Sequence, residues 1–142
     1  MSDSVLTPAS LWRRLAAMVY DSLLIFSILV IVGLTTLPFT NGLGISRDNI
    51  FIRLYIFSAL FVFLGWFWTH GGQTLGMRAW RIQVQTASGA PLDWRRSTRR
   101  YLASVLSWLS LGIGFFWQWI DKDHRTWHDR LSGTRLVVLP KT

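Results

Sequence analysis

From Leu15 to Leu37 almost every residue is apolar, and the one charge inside the run is Asp21. At about 1.5 Å of rise per helical residue the run is long enough to cross a hydrocarbon core, which predicts a membrane-spanning helix. A carboxylate at that depth costs roughly 2.5 to 3.5 kcal/mol, so it must face a protein interior, a wet cavity or a partner charge. Arg14 stands seven residues earlier on the same helical face, two turns or about 10 Å away. That exceeds the three- or four-residue spacing of a helical ion pair, so a second segment must approach Asp21, and small Ala17 leaves room for one. The charged residues near the C-terminus are the candidates. The expectation is one cluster of Arg14, Asp21 and the segment His128 to Arg130, near the cytoplasmic side.

Arg13 and Arg14 imitate the basic start of a cleaved leader. The length of the run, Asp21 and the Leu37-Pro38 ending without a small-x-small site favour a retained span instead. The wider composition agrees: of 142 residues 51% are hydrophobic, nine are Trp and nine Phe, and neither Cys nor Glu occurs. One small membrane domain over residues 1–142 is expected. The 15 basic residues outnumber 7 acidic ones, but they flank apolar runs rather than forming one soluble basic face. They read as topology signals and lipid contacts, and nucleic acid is not an expected partner. Without cysteine there is no disulfide scaffold and no thiolate metal site.

Along the chain, Thr7-Pro8 is placed to open an interfacial helix before the first span, with Trp12 as an anchor. Pro38 to Arg53, with Asn41-Gly42 and Gly44, reads as a loop. A second, uncharged span follows at Leu54 to Thr69, extendable back to Ile50, with Trp66 and Trp68 at its exit. In residues 71–100 six arginines face the single acid Asp93, which assigns this segment and the N-terminus to the cytoplasm. Trp80, Ile82 and Val84 alternate with Arg81, Gln83 and Gln85 as in a half-buried strand, and Ser88-Gly89-Ala90-Pro91 turns the chain. Asp93 is a helix N-cap for an interfacial amphipathic helix. Arg95, Arg96, Arg99 and Arg100 lie on its lipid-headgroup side, opposite Trp94, Ser97, Thr98 and Tyr101.

A third apolar segment, Tyr101 to Ile120, holds Leu111-Gly112-Ile113-Gly114 at its middle. A straight crossing would carry Lys122, Arg125, Arg130, Arg135 and Lys141 outside and part the strand-like Leu136 to Leu139 from Trp80 to Gln85. A re-entrant hairpin broken at Gly112 to Gly114, with arms of about 9 to 10 residues, avoids both. The straight span is the alternative. The expected fold is thus an α-helical membrane protein with two full transmembrane helices, a third apolar helical segment and a small cytoplasmic β-strand pair.

Three motifs, Arg14-Leu15-Ala16-Ala17-Met18-Val19-Tyr20-Asp21, Gly72-Gln73-Thr74-Leu75-Gly76-Met77-Arg78 and His128-Asp129-Arg130-Leu131-Ser132-Gly133-Thr134, resemble in their order the RDD family of small integral membrane proteins. The resemblance covers nearly the whole chain. It implies that Arg14, Asp21 and Asp129 are the family's signature arginine and two aspartates, with Gly72, Gln73, Thr74, Gly76, His128, Gly133 and Thr134 as structural motif positions. It also implies a link to transport of unspecified ligands, with no agreed mechanism. The central motif often carries Lys where this chain has Met77, with Arg78 beside it as the candidate substitute.

Each motif also has a plainer reading. Asp21 is either a protonatable or cation-binding carboxylate on a transport path or one half of a structural ion pair; Arg14 either pairs with it or snorkels to phosphates. His124 and His128 have the four-residue spacing of a two-histidine metal site, but Arg125 stands where such a helix carries its glutamate, so no metal or other cofactor is expected. Gly71 to Gly76 lacks the Lys-Ser/Thr ending of a phosphate loop and reads as a tight turn whose Gln73 and Thr74 satisfy backbone groups.

Two functions remain open. One is a transport component for an unidentified ion or small solute, using Arg14, Asp21, Asp129 and Arg130, and necessarily oligomeric or partnered, because so few segments cannot enclose a path. The other is a non-catalytic adaptor or assembly subunit that holds a membrane partner or anionic lipid on its basic cytoplasmic face. An enzyme is not expected, since no nucleophile, base and metal constellation is identifiable. The expected location is a bacterial inner membrane.

Overall fold

Ser10 opens the first helix, α1 (Leu11–Thr36), its side chain accepting the Arg13 N–H at 3.4 Å. The structure is a computed structural model, and it describes residues 6–42 and 48–140. Gly44 of the expected loop and Lys141 of the tail lie outside the described residues. Pro38, in a 3-10 turn over Leu37–Phe39, stops α1 because it has no N–H to continue the ladder. Asn49 then accepts the Phe51 N–H at 3.0 Å and starts α2 (Ile50–Thr69) four residues before Leu54, the expected start. Both helices are long and apolar enough to cross a membrane. Most of their apolar side chains, such as Leu23, Phe26, Phe51 and Val62, are exposed, as suits a hydrocarbon solvent.

A glycine turn leads into the short α3 (Leu75–Ala79) and then β1 (Ile82–Thr86). Asp93 accepts the Arg96 N–H at 2.8 Å and caps α4 (Trp94–Leu109). Leu111 and Gly112 then take positive φ, 57° and 80°, and the chain bends by 108° between α4 and the following α5 (Ile113–Phe116) with its 3-10 extension Trp117–Trp119. The third apolar segment is therefore broken near the glycines. It differs from the expected equal-armed hairpin in two ways: α4 has 16 residues and α5 four, and the bend falls short of a reversal. The asymmetry follows from the Asp93 cap, which starts α4 at Trp94, seven residues before Tyr101.

After a turn at Asp121–Thr126 come α6 (Trp127–Ser132) and β2 (Thr134–Val138). β2 pairs antiparallel with β1, from Ile82 opposite Val138 to Thr86 opposite Thr134. Residues 7–9 do not form the expected interfacial helix. They are extended along β2, with the Ala9 N–H donating to Leu136 O at 2.9 Å and the Val138 N–H to Thr7 O at 2.9 Å. Pro8, lacking an N–H, fits this edge position. The residues before α1, the sheet after α2 and the tail are thus hydrogen-bonded together at one end of the helix pair. Their core joins Ala9, Ala17, Trp68, Met77, Ile82, Val84, Leu92, Tyr101 and Leu136.

Candidate functional site

Arg14, one turn into α1, and Arg100, midway along α4, converge on one carboxylate. Arg14 Nη1 lies 2.8 Å from Asp129 Oδ2, and Arg100 Nη1 lies 2.5 Å from Oδ1. All three side chains are buried, Asp129 completely. Asp129 is aimed by the first turn of α6, where its Oδ2 also accepts the Thr126 N–H at 3.4 Å. Arg14 Nε donates to Ala9 O at 3.2 Å, a carbonyl that Gln118 Nε2 also reaches at 3.1 Å. Arg100 Nη1 further contacts Thr134 Oγ1 at 3.1 Å, and its guanidinium lies 5.3 Å from the centre of the Trp68 ring. Among the described residues Arg14 Nη2 and Arg100 Nε have no hydrogen-bond partner.

Asp21 is not part of this cluster, contrary to the sequence-based expectation. Its Oδ2 accepts the Thr74 hydroxyl and its Oδ1 the Gly76 N–H at 2.8 Å. Thr74 Oγ1 in turn accepts the Met77 N–H at 3.2 Å. The carboxylate therefore serves the unsatisfied N–H groups at the start of α3. Ala17 does leave room for a second segment, but the segment is α3: a Cβ on Gly76 would collide with the Ala17 carbonyl and lie 2.8 Å from Asp21 Oδ1.

Arg130 is also elsewhere, on the surface, with Nη1 3.2 Å from Asp121 Oδ1. Of the four arginines expected at lipid headgroups, Arg95 and Arg99 are exposed, whereas Arg100 is buried and ion-paired. Arg96 Nη1 reaches the carbonyls of Ser132 and Gly133 at 3.4 and 3.0 Å, where α6 ends with Gly133 at φ 65°. Gln73 Nε2 donates to Ile82 O at 2.8 Å and Gly72 O accepts the Val84 N–H at 2.8 Å, so both fasten the glycine turn to β1. Thr134 Oγ1 lies 2.6 Å from Ser132 Oγ. His124 is exposed, with Nδ1 3.3 Å from Gln118 O, while His128 is buried with Nε2 3.0 Å from Thr126 Oγ1. Arg100 is the member of the junction that the sequence pattern assigned to lipid headgroups instead. Its signal is the stripe Ser97, Arg100, Ala103, Ser107, the buried face of α4, where small residues permit close approach.

The electrostatics of the cluster are lopsided. Burial alone would push the Asp129 carboxyl up, but Arg14 and Arg100, with His128, outweigh it and hold the acid far below the usual carboxylate range. Burial, Arg100 and Arg14 push His128 down to about 3, against the opposing pull of Asp129. The imidazole is therefore neutral at pH 7, and two guanidiniums share one carboxylate. The junction carries a buried surplus of positive charge, which attracts anions and repels metal ions.

No curated protein and no solved structure matches the chain. The model of the RDD family matches residues 8–133, a stretch that takes in the Arg14, Arg100 and Asp129 junction and the Asp21 cap of α3. With most of its length matched and two helices fit to cross a membrane, the chain belongs to the RDD family of membrane proteins.

Proposed function

We propose that this protein is a small transport component of a bacterial inner membrane, that its solute site is the Arg14, Asp129 and Arg100 junction, and that it works as an oligomer or with a membrane partner. The observation that carries this reading is the surplus cation. One arginine completes a structural bridge to Asp129, whereas the second adds a buried charge and leaves N–H groups on both guanidiniums without acceptors among the described residues. Buried charge without full pairing is costly, so its retention suits a group that meets a ligand. Two spans from one chain do not enclose a path, which is why the reading includes further copies or a partner. The N-terminus, the sheet and the tail are taken as cytoplasmic, because the arginines gather there.

The second reading is a non-catalytic adaptor. It is favoured by Asp21, whose two oxygens are both engaged by α3, and by the exposed Arg95 and Arg99, each worth about 1 kcal/mol against anionic lipid. Flux from proteoliposomes separates the two. Labelled inorganic phosphate and a proton-sensitive dye serve as probes, with Arg14→Gln and Asp21→Asn as variants. Wild-type flux lost in Arg14→Gln and kept in Asp21→Asn supports transport through the junction. Absence of wild-type flux supports the adaptor, and loss in a folded Asp21→Asn moves the site to Asp21.

A further inference from the structure

Between residues 6–8, the turn at 122–125 and the start of β2 lies a cleft of about 400 Å³, within the range of small-ligand sites. Among the described residues its charged lining is Arg14, Lys122, Asp123, Arg125 and Arg135, with His124 beside them. The only acid among these is held by a neighbour, Asp123 Oδ2 lying 2.9 Å from Arg125 Nη2. Lys122 and Arg135 are exposed and have no ion pair among the described residues. Arg14 differs from the rim: it is only 4% exposed, is fixed by Ala9 O and Asp129, and keeps an Nη2 with no partner among the described residues. A buried, positioned guanidinium with free N–H groups is the geometry that recognises planar or tetrahedral oxyanions.

We propose that this cleft binds a phosphate-bearing anion, seated on Arg14 and steered by Lys122 and Arg135. The inference deepens the transport reading and rests on it for the role of the site, but binding can be measured apart from flux. Phosphate is favoured over a carboxylate because Arg14, Lys122 and Arg135 line the cleft separately, besides the Asp123-paired Arg125, matching an anion whose oxygens point several ways. The phosphate belongs either to a soluble molecule or to a lipid headgroup at the membrane surface.

The test uses the full chain in nanodiscs of neutral phosphatidylcholine, titrated calorimetrically with inorganic phosphate. Saturable binding is expected that weakens as salt is raised. It should fall at least tenfold in Lys122→Gln with Arg135→Gln, both exposed residues, and remain unchanged in Arg95→Gln with Arg99→Gln. Repeating the titration in phosphatidylglycerol discs assigns the source. Phosphate displaced by the lipid means a headgroup site, and phosphate binding that is equal in both discs means a soluble anion; either outcome supports the proposal. No saturable binding in neutral discs, or equal loss in both double variants, overturns it. Binding without flux keeps the cleft and removes the transport role, whereas flux without phosphate binding removes the cleft.

Discussion

Asp129 is the residue on which two buried cations depend, so its removal is more damaging than that of either partner. Asp129→Asn leaves Arg14 and Arg100 facing each other in a dry site and is expected to cost about 3–5 kcal/mol, read as a lowered unfolding midpoint in detergent; Arg14→Gln, which leaves Asp129 with Arg100, should cost less. His128 adds a pH dependence whose sign is fixed. Its pKa falls from the ordinary 6.5 to about 3 on folding, so the unfolded chain binds the proton more readily and stability declines as pH drops through that interval. His128→Phe should flatten the melting temperature between pH 6.5 and 3; an unchanged slope assigns the acid sensitivity to other groups. At this scale the chemistry of single residues was legible and their partners were not. Asp21 was recognisable as an acid in need of a partner, but nothing in Thr74 or Gly76 announces that a backbone N–H would supply it. Arg100 carried the same charge as Arg95 and Arg99, and only its place among Ser97, Ala103 and Ser107 marks it as buried.

Elements were more legible than contacts because periodicity and caps are local. The two apolar runs, the Asp93 cap and the alternation through Ile82 and Val84 each specify a helix or strand without reference to the rest of the chain. Thr7-Pro8 misled because a proline that fits the first turn of a helix fits a sheet edge equally well, and the choice was made by β2, more than a hundred residues away. The contact of α3 with α1 is likewise not local, and it depends on a missing side chain at Gly76. Gly76→Ala gains up to about 1 kcal/mol of helix propensity. The new methyl, however, meets the Ala17 carbonyl, a backbone atom that cannot swing away, and overpacking typically costs 1–3 kcal/mol. The collision should win: Gly76→Ala is expected to lower the melting temperature and speed hydrogen exchange at the Met77 and Arg78 amides. A neutral or stabilising effect would contradict the close approach.

For the whole molecule, the sheet decides the arrangement, since residues 7–9, β1 and β2 can be hydrogen-bonded only if all lie on one side of any membrane that α1 and α2 cross. The chain has no cysteine, so single cysteines are clean reporters. Ser88→Cys and Lys122→Cys, both at exposed sites, should react with an impermeant thiol reagent from the same side, and Phe39→Cys, between the spans, from the other. Labelling of Lys122→Cys together with Phe39→Cys would require a straight third span. The observed pairing of β1 with β2 is compatible with the placement that charge bias suggests at the scale of segments, whereas the division of the signature charges into two junctions depends on packing that charge bias does not encode. That division is tested most directly by two double-mutant cycles on unfolding free energy, one pairing Arg14→Gln with Asp129→Asn and the other Arg14→Gln with Asp21→Asn. The first pair should couple by about 0.5–3 kcal/mol, and the second, sharing no partner, should add within about 0.5 kcal/mol; strong coupling of Arg14 to Asp21 with additivity toward Asp129 would contradict the arrangement.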